Sequence, residues 1–277
     1  MFGSYEVLER RDVAGDGLDI LATDPEGREV RLWAGAPDSA ARGPVDELRA
    51  VLARVYHTGL PRVLGSEEID GRAVLRLQPY RGPTLAQRLE EGPMSAPEAI
   101  DVARSCAAAL VKAHAKGLVH GAITSEEIVL SEDGRTLLLR VGFGPYLGPR
   151  PRRAPEDETG AEAADVFALS RALVQALEGR DPYDVAVSFA EAARDEHGFD
   201  PALPQGLRRL LARAISPDPA RRMVRAEELA GDLGVIRASW DTMAQPPRAP
   251  RAGRALRIAG WVAGAVVLLL ALRWLLR

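Results

Sequence analysis

The sequence predicts an α+β protein: a β-rich first part, a larger helical second part, and one apolar helix near residue 277. Three observations carry this. Before Gly82 the apolar residues alternate or fall in short runs bounded by turn residues, the period of strands. After Gly82 they recur at three- and four-residue spacing, the period of an amphipathic helix. From Ile258 to Leu272 every residue is apolar or glycine.

The elements follow in order. Tyr5–Glu9 alternates, Leu18–Ala22 is a second short run and Glu29–Trp33 a third, giving three strands. Val45–Tyr56 reads as a helix, with Val45, Leu48, Leu52 and Val55 on one stripe. Arg62–Leu77 is broken by Asp70-Gly71, a dipeptide that accepts the positive φ angles of a tight hairpin turn. Ser95 followed by Glu98 fits a capping box at the start of a helix. That helix keeps Ile100, Ala103, Ala107, Leu110, Val111 and His114 on one side until Gly117 stops it. Ile128–Leu130 and Thr136–Leu139 form a small strand pair around Asp133-Gly134. Glu162–Leu177, Gln205–Ile215 and Ala226–Arg237 are further helices. Two parts of different character, joined in one chain, imply a cleft between them.

Composition narrows the chemistry. The chain has 277 residues and net charge −3, so no basic field points to nucleic acid. Cys106 is the single cysteine, which excludes an intramolecular disulfide or a multi-cysteine metal site. No His/Cys/carboxylate group has metal-site spacing. Of the 36 basic residues only Lys112 and Lys116 are lysine, and asparagine does not occur. Chemistry that needs a lysine in the first part, or an asparagine as metal ligand, is therefore absent.

Met1–Arg10 lacks the apolar core of a signal peptide. Residues 241–254 read as a Pro/Arg-rich linker and 255–277 as a transmembrane helix and tail. Leu256–Leu276 is long enough to cross a bilayer, with Arg257 and Arg273 near its ends and Trp261 and Trp274 near the two interfaces. Arg248, Arg251, Arg254 and Arg257 precede the span, which places the preceding domain on the cytoplasmic side of the membrane. Gly260 and Gly264 make a G-x-x-x-G pattern suited to a helix homodimer.

Many short segments, in one order, resemble bacterial serine/threonine protein kinases. Tyr5-Glu-Val-Leu-Glu-Arg is similar to the opening strand, and His57-Thr-Gly-Leu-Pro-Arg-Val-Leu to the segment after the αC helix. Gly82-Pro-Thr-Leu-Ala-Gln-Arg-Leu resembles the segment after the hinge, which holds Gln78 and Tyr80. Ala113-His-Ala-Lys-Gly-Leu-Val-His120 resembles the lead into the catalytic loop. Ala154-Pro155-Glu156, Asp165-Val-Phe-Ala-Leu, Gly179-Arg-Asp-Pro-Tyr and Asp218-Pro-Ala-Arg-Arg222 follow in family order. The resemblance implies a bilobal protein-kinase-like fold, with an N-lobe at 1–81 and a C-lobe at 82–240.

The positions that carry kinase chemistry depart from the family. The phosphate-loop stretch, Asp12 to Asp19, retains only Gly15 and Gly17, and Asp12, Asp16 and Asp19 put negative charge there. Trp33 stands where the family has its phosphate-pairing lysine, Arg31 where a small residue roofs the adenine, and Leu48 at the αC glutamate. Ala122 replaces the catalytic aspartate and Glu127 the metal-binding asparagine. Arg140 replaces the aspartate that is the main metal ligand. Stacked in one chain, these changes remove positioning, charge neutralisation and nucleophile orientation together. The expectation is a pseudokinase with no catalytic residue, no metal site and no cofactor, acting on a cytoplasmic protein partner. The alternative is an active atypical serine/threonine kinase, with Glu127 or Glu126 recruited to Mg²⁺, or a nucleotide sensor. His120, Glu156, Asp165 and Arg222 match family residues that support the fold, Glu156 and Arg222 as a buried ion pair. Between Gly142 and Ala154 the only hydroxyl is Tyr146, while Arg150, Arg152 and Arg153 predict a constitutively basic surface for an acidic partner segment.

Overall fold

The structure is a computed structural model that describes residues 1–13, 16–43, 45–146, 161–179, 196–216, 218 and 220–244. Met1–Arg237 form one compact unit and Ala238–Arg277 a second.

Five strands make an antiparallel sheet in the order β1-β2-β3-β5-β4: β1 Glu6–Val13, β2 Gly17–Thr23, β3 Glu29–Ala34, β4 Val63–Ile69 and β5 Arg72–Leu77. Asp70 and Gly71 turn β4 into β5 with φ of 50° and 72°, a geometry that both residue types tolerate. Strand alternation then sorts the side chains. Leu18, Ile20 and Ala22 of β2 join Val30, Leu32 and Ala34 of β3 and Tyr5 in one apolar cluster. The intervening residues Asp19, Arg31 and Trp33 face the other way. There Trp33 joins Leu48, Leu75, Leu77 and Tyr80 with Val129, Leu137, Leu139, Phe143 and Tyr146 in a second cluster. That second cluster joins the sheet to the chain beyond Gly82, so charged residues on this face are buried in the cleft.

Helix α1 covers Val45–Leu52, shorter than the Val45–Tyr56 expected. Beyond it Arg54 N–H bonds to Val51 C=O and Val55 N–H to Leu52 C=O, a tightened turn that ends the helix. Tyr56 has no apolar surface to cover and is 85% exposed. The second part holds α2 Leu85–Leu89, α3 Ala96–His114, the pair β6 Ile128–Leu130 and β7 Thr136–Leu138, then α4 Ala161–Glu178, α5 Gln205–Ala214 and α6 Ala226–Ala244. The Ser95/Glu98 capping box is present, with Ser95 N–H and Oγ both on Glu98 Oε2. A second box, Thr84 with Gln87, starts α2.

Among the described residues no helix is long and apolar enough to cross a membrane. The last helix runs to Ala244, so the first four residues of the expected linker, 241–244, are helical, continuing the turns from Ala226. The rest of the linker, the expected span with Gly260 and Gly264, Gly15, Glu156 and the arginines at 150, 152 and 153 lie outside the described residues. Tyr146 is described: it is buried, stacked on Phe143 with ring centroids 5.2 Å apart.

Candidate functional site: a cleft filled by its own charges

The cleft face of the sheet brings Asp19, Arg31, Trp33 and Tyr80 against Glu127 and Arg140, and all six are buried. Asp19 lies opposite Trp33 in the β2–β3 register, and Arg31 is its diagonal neighbour, within reach of a long side chain. Arg31 Nε donates to Asp19 Oδ1 at 2.5 Å. The Arg31 guanidinium lies over the Tyr80 ring, 4.8 Å from its centroid. Trp33 Nε1 donates to Tyr80 Oη at 2.8 Å, and Tyr80 O–H faces both Asp19 oxygens at 3.2 and 3.3 Å.

Glu127 closes a short turn at Ser125–Glu127, just before β6, and Arg140 follows β7. Leu139 N–H bonds to Glu127 C=O at 2.8 Å, so the strand pair sets Glu127 and Arg140 side by side. Arg140 Nη2 is 2.7 Å from Glu127 Oε2 and Nη1 is 3.6 Å from Asp19 Oδ2. None of the three Arg140 side-chain nitrogens has hydrogen-bond alignment on a partner, so these contacts are coulombic. Arg140 has a φ of 54°, a left-handed conformation that a non-glycine residue keeps only where its surroundings hold it.

Electrostatics follows the geometry. Burial is the largest single influence on Arg31 and works against its charge, but Asp19, Tyr80 and Glu9 together outweigh it and hold the pKa above the ordinary arginine value. Arg140 is raised in the same way: burial opposes, and Glu127 and then Asp19 prevail. The Tyr80 hydroxyl is pushed up, first by burial and then by Asp19, so it stays protonated and donates.

Trp33, which the sequence resemblance sets at the lysine position, sits in the same apolar cluster as Leu48, which it sets at the αC glutamate. On that alignment an apolar contact takes the place of the expected ion pair. The Arg31 side chain is buried between Asp19 and the Tyr80 ring. Asp19 and Glu127 are each engaged by arginine, and neither offers a divalent ion a free carboxylate. Among the described residues no group of three His, Cys, Asp or Glu is placed to hold a metal ion. Glu126 is exposed, its carboxylate bonded to Thr84 Oγ1 at 3.3 Å.

The remaining site positions are placed as follows. Ala122 is half-buried on the loop after His120. Gly17 begins β2 opposite Val13, an ordinary hairpin flank. Gln78 is exposed, its N–H bonded to Arg62 C=O. Asp165, in the first turns of α4, is buried and accepts from His120 N–H at 2.7 Å and Gly121 N–H at 2.6 Å. His114 Nε2 lies 2.9 Å from the same carboxylate, so His114 is a polar brace of this loop as well as a packing residue. Buried Arg222 donates from Nε to Ser216 C=O at 2.8 Å and lies over the Phe167 ring at 4.7 Å.

Sequence alone places Asp19 near a triphosphate and Arg31 as an intruder in the roof, and misses their partnership. The signal that could reveal it is a pair of opposite charges in one hairpin at positions of like parity.

No family model matches the chain. It is 29% identical over 260 residues to the serine/threonine-protein kinase PknD of Mycobacterium tuberculosis, covering 83% of this chain and 39% of that protein. It is 28% identical to the probable serine/threonine-protein kinase PkwA of Thermomonospora curvata, over 82% of this chain and 34% of that one. The chain thus spans well under half the length of these curated relatives. Among solved structures, the PknI kinase domain of M. tuberculosis superposes with a TM-score of 0.66 at 24% identity, covering 85% of this chain and 97% of that domain. The fold is therefore the bilobal protein-kinase fold, and this kinase-like chain has bacterial serine/threonine protein kinases as its homologues.

Proposed function

We propose that this chain is a pseudokinase: a membrane-tethered kinase-like module that binds or scaffolds a cytoplasmic protein and transfers no phosphate. One observation carries the reading. Arg140 and Glu127, at the two metal-ligand positions, neutralise each other 2.7 Å apart in a buried cleft. Phosphoryl transfer depends almost wholly on positioning and on charge neutralisation by metal and lysine. Here a cation fills the metal position, Trp33 has no charge to offer a phosphate, and Ala122 has no group to orient a hydroxyl. Mg·ATP does not fit this set of residues.

The test is incorporation of labelled phosphate from Mg·ATP or Mn·ATP, by the full chain in detergent micelles, into itself and a generic acceptor protein. No incorporation is expected. Incorporation abolished by Glu127→Ala overturns the reading. The tether rests on the apolar run Ile258–Leu272 and the arginines before it. Deleting 255–277 is expected to move the protein from the membrane to the soluble fraction, and retention in the membrane contradicts the tether.

A second reading, a metal-free nucleotide sensor, draws on the Arg140 guanidinium, whose nitrogens are buried without hydrogen-bond alignment. Thermal melting with ATP in excess chelator separates the two, because a ligand bound only to the native state raises its melting temperature.

A further inference from the structure

We propose that the two lobes are latched closed without any ligand, by a chain of alternating charges that runs from the hinge into the centre of the cleft. The chain is continuous. Arg81, at the hinge, meets Glu29 at 2.7 Å and Glu9 at 3.4 Å. Glu9 meets Arg31 at 3.5 Å, and Arg31 meets Asp19 at 2.5 Å. Asp19 meets Arg140 at 3.6 Å, and Arg140 meets Glu127 at 2.7 Å. Glu9, Asp19, Glu29 and Arg31 belong to the sheet; Glu127 and Arg140 belong to the C-lobe. The Asp19–Arg140 contact is the crossing point.

In hinged two-lobe proteins, ligand bridging across the cleft drives closure. Here the bridge is made of the chain's own side chains, and its inner members are shielded from salt by burial. Tyr80, in the hinge segment itself, is bonded to Trp33 and Asp19, which ties hinge rotation to the same network. A ligand shifts a conformational equilibrium only through its differential affinity for the two states. With the cleft occupied, opening requires separating Arg140 from Asp19. The module is thus a fixed platform, whose partner surface does not depend on nucleotide.

The test measures the distance between spin labels on the full chain in micelles, with cysteines introduced by Glu68→Cys in β4 and Glu91→Cys beyond α2. Both positions are exposed, and the native Cys106 is buried. One narrow distance distribution is expected, unchanged by Mg·ATP. The variant Glu127→Gln/Arg140→Met removes the C-lobe half of the latch without leaving an unpaired buried charge, and Asp19 keeps Arg31. Loss of the narrow distribution in this variant, with melting still cooperative, supports the latch. Arg81→Ala, at an exposed position, removes only the outer end of the chain, leaves the Asp19–Arg140 crossing intact and is expected to keep the narrow distribution. A broad distribution in the parent, a narrowing on Mg·ATP, or an unchanged distribution in Glu127→Gln/Arg140→Met overturns the latch. Phosphotransfer by the parent would sink the pseudokinase reading while leaving the distance result to judge the latch by itself.

Discussion

Replacing Glu127 by glutamine strips Arg140 of its nearer counter-charge while keeping the shape of the side chain. At an effective dielectric of about 20, a unit-charge pair at 2.7 Å attracts by about 6 kcal/mol and one at 3.6 Å by about 5 kcal/mol. Arg140 therefore loses the larger half of its compensation, and Asp19, which remains, is shared with Arg31. Breaking one partner out of a buried pair costs about 3–5 kcal/mol, because the survivor stays out of water. At about 2–4 °C per kcal/mol for a domain of this size, the melting temperature falls by about 6–20 °C. Arg140→Met is expected to cost a similar amount, since Glu127 is itself only 6% exposed. The double variant Glu127→Gln/Arg140→Met leaves no orphan charge and is expected to be more stable than the sum of the singles, by about 0.5–3 kcal/mol. Denaturant unfolding of the four proteins, followed by tryptophan fluorescence, gives the cycle. Single variants that melt like the parent, or a strictly additive double, would refute the claim that these two groups hold each other's charge.

Three further outcomes are expected elsewhere in the molecule. Arg222→Ala removes a charged hydrogen bond to Ser216 C=O, worth about 1.5–3 kcal/mol, and a ring contact with Phe167; Arg222→Lys should restore only part, since an ammonium cannot lie flat on the ring. Equal melting of parent and Arg222→Ala would contradict this. The His57 pKa is lowered from its ordinary 6.5, by burial and then by Lys112, so its neutral form is the folded one. Its contribution to stability is present above pH 6.5 and is lost as pH falls through the lower folded value; melting against pH should flatten there in His57→Gln, and an unchanged slope would discard the assignment. Cys106 is buried and its thiol pushed up to about 12 by that burial, so a thiol reagent at neutral pH should label it only on unfolding. Rapid labelling of the native protein would show the helix packing around α3 to be wrong.

Much of the fold is legible before any coordinates. The Ser95/Glu98 capping box, the Asp70-Gly71 hairpin and the α3 stripe are local patterns, and each is found where local chemistry puts it. The end of α1 is not legible, because Val55 continues a stripe that has nothing left to cover once Tyr56 turns to solvent. At the site, the replacements at Trp33, Ala122, Glu127 and Arg140 are read from position alone. Their consequences are not. Asp19 and Arg31 share one hairpin but Arg140 lies 121 positions beyond Asp19, and whether each meets solvent, a phosphate or another side chain depends on strand register and on how the sheet meets the C-lobe.

The sequence by itself determined which atoms were available: no lysine before Lys112, no asparagine, arginine where a metal ligand would stand, and apolar periods that specify strands first and helices after. Only the tertiary structure decided that these arginines and carboxylates neutralise one another. Charge pairing acts over a few ångströms, here between residues 12 positions apart for Asp19 and Arg31, 13 for Glu127 and Arg140, and 121 for Asp19 and Arg140. Burial keeps water and salt from screening that attraction, so the few ångströms set by the fold outweigh the separation along the chain.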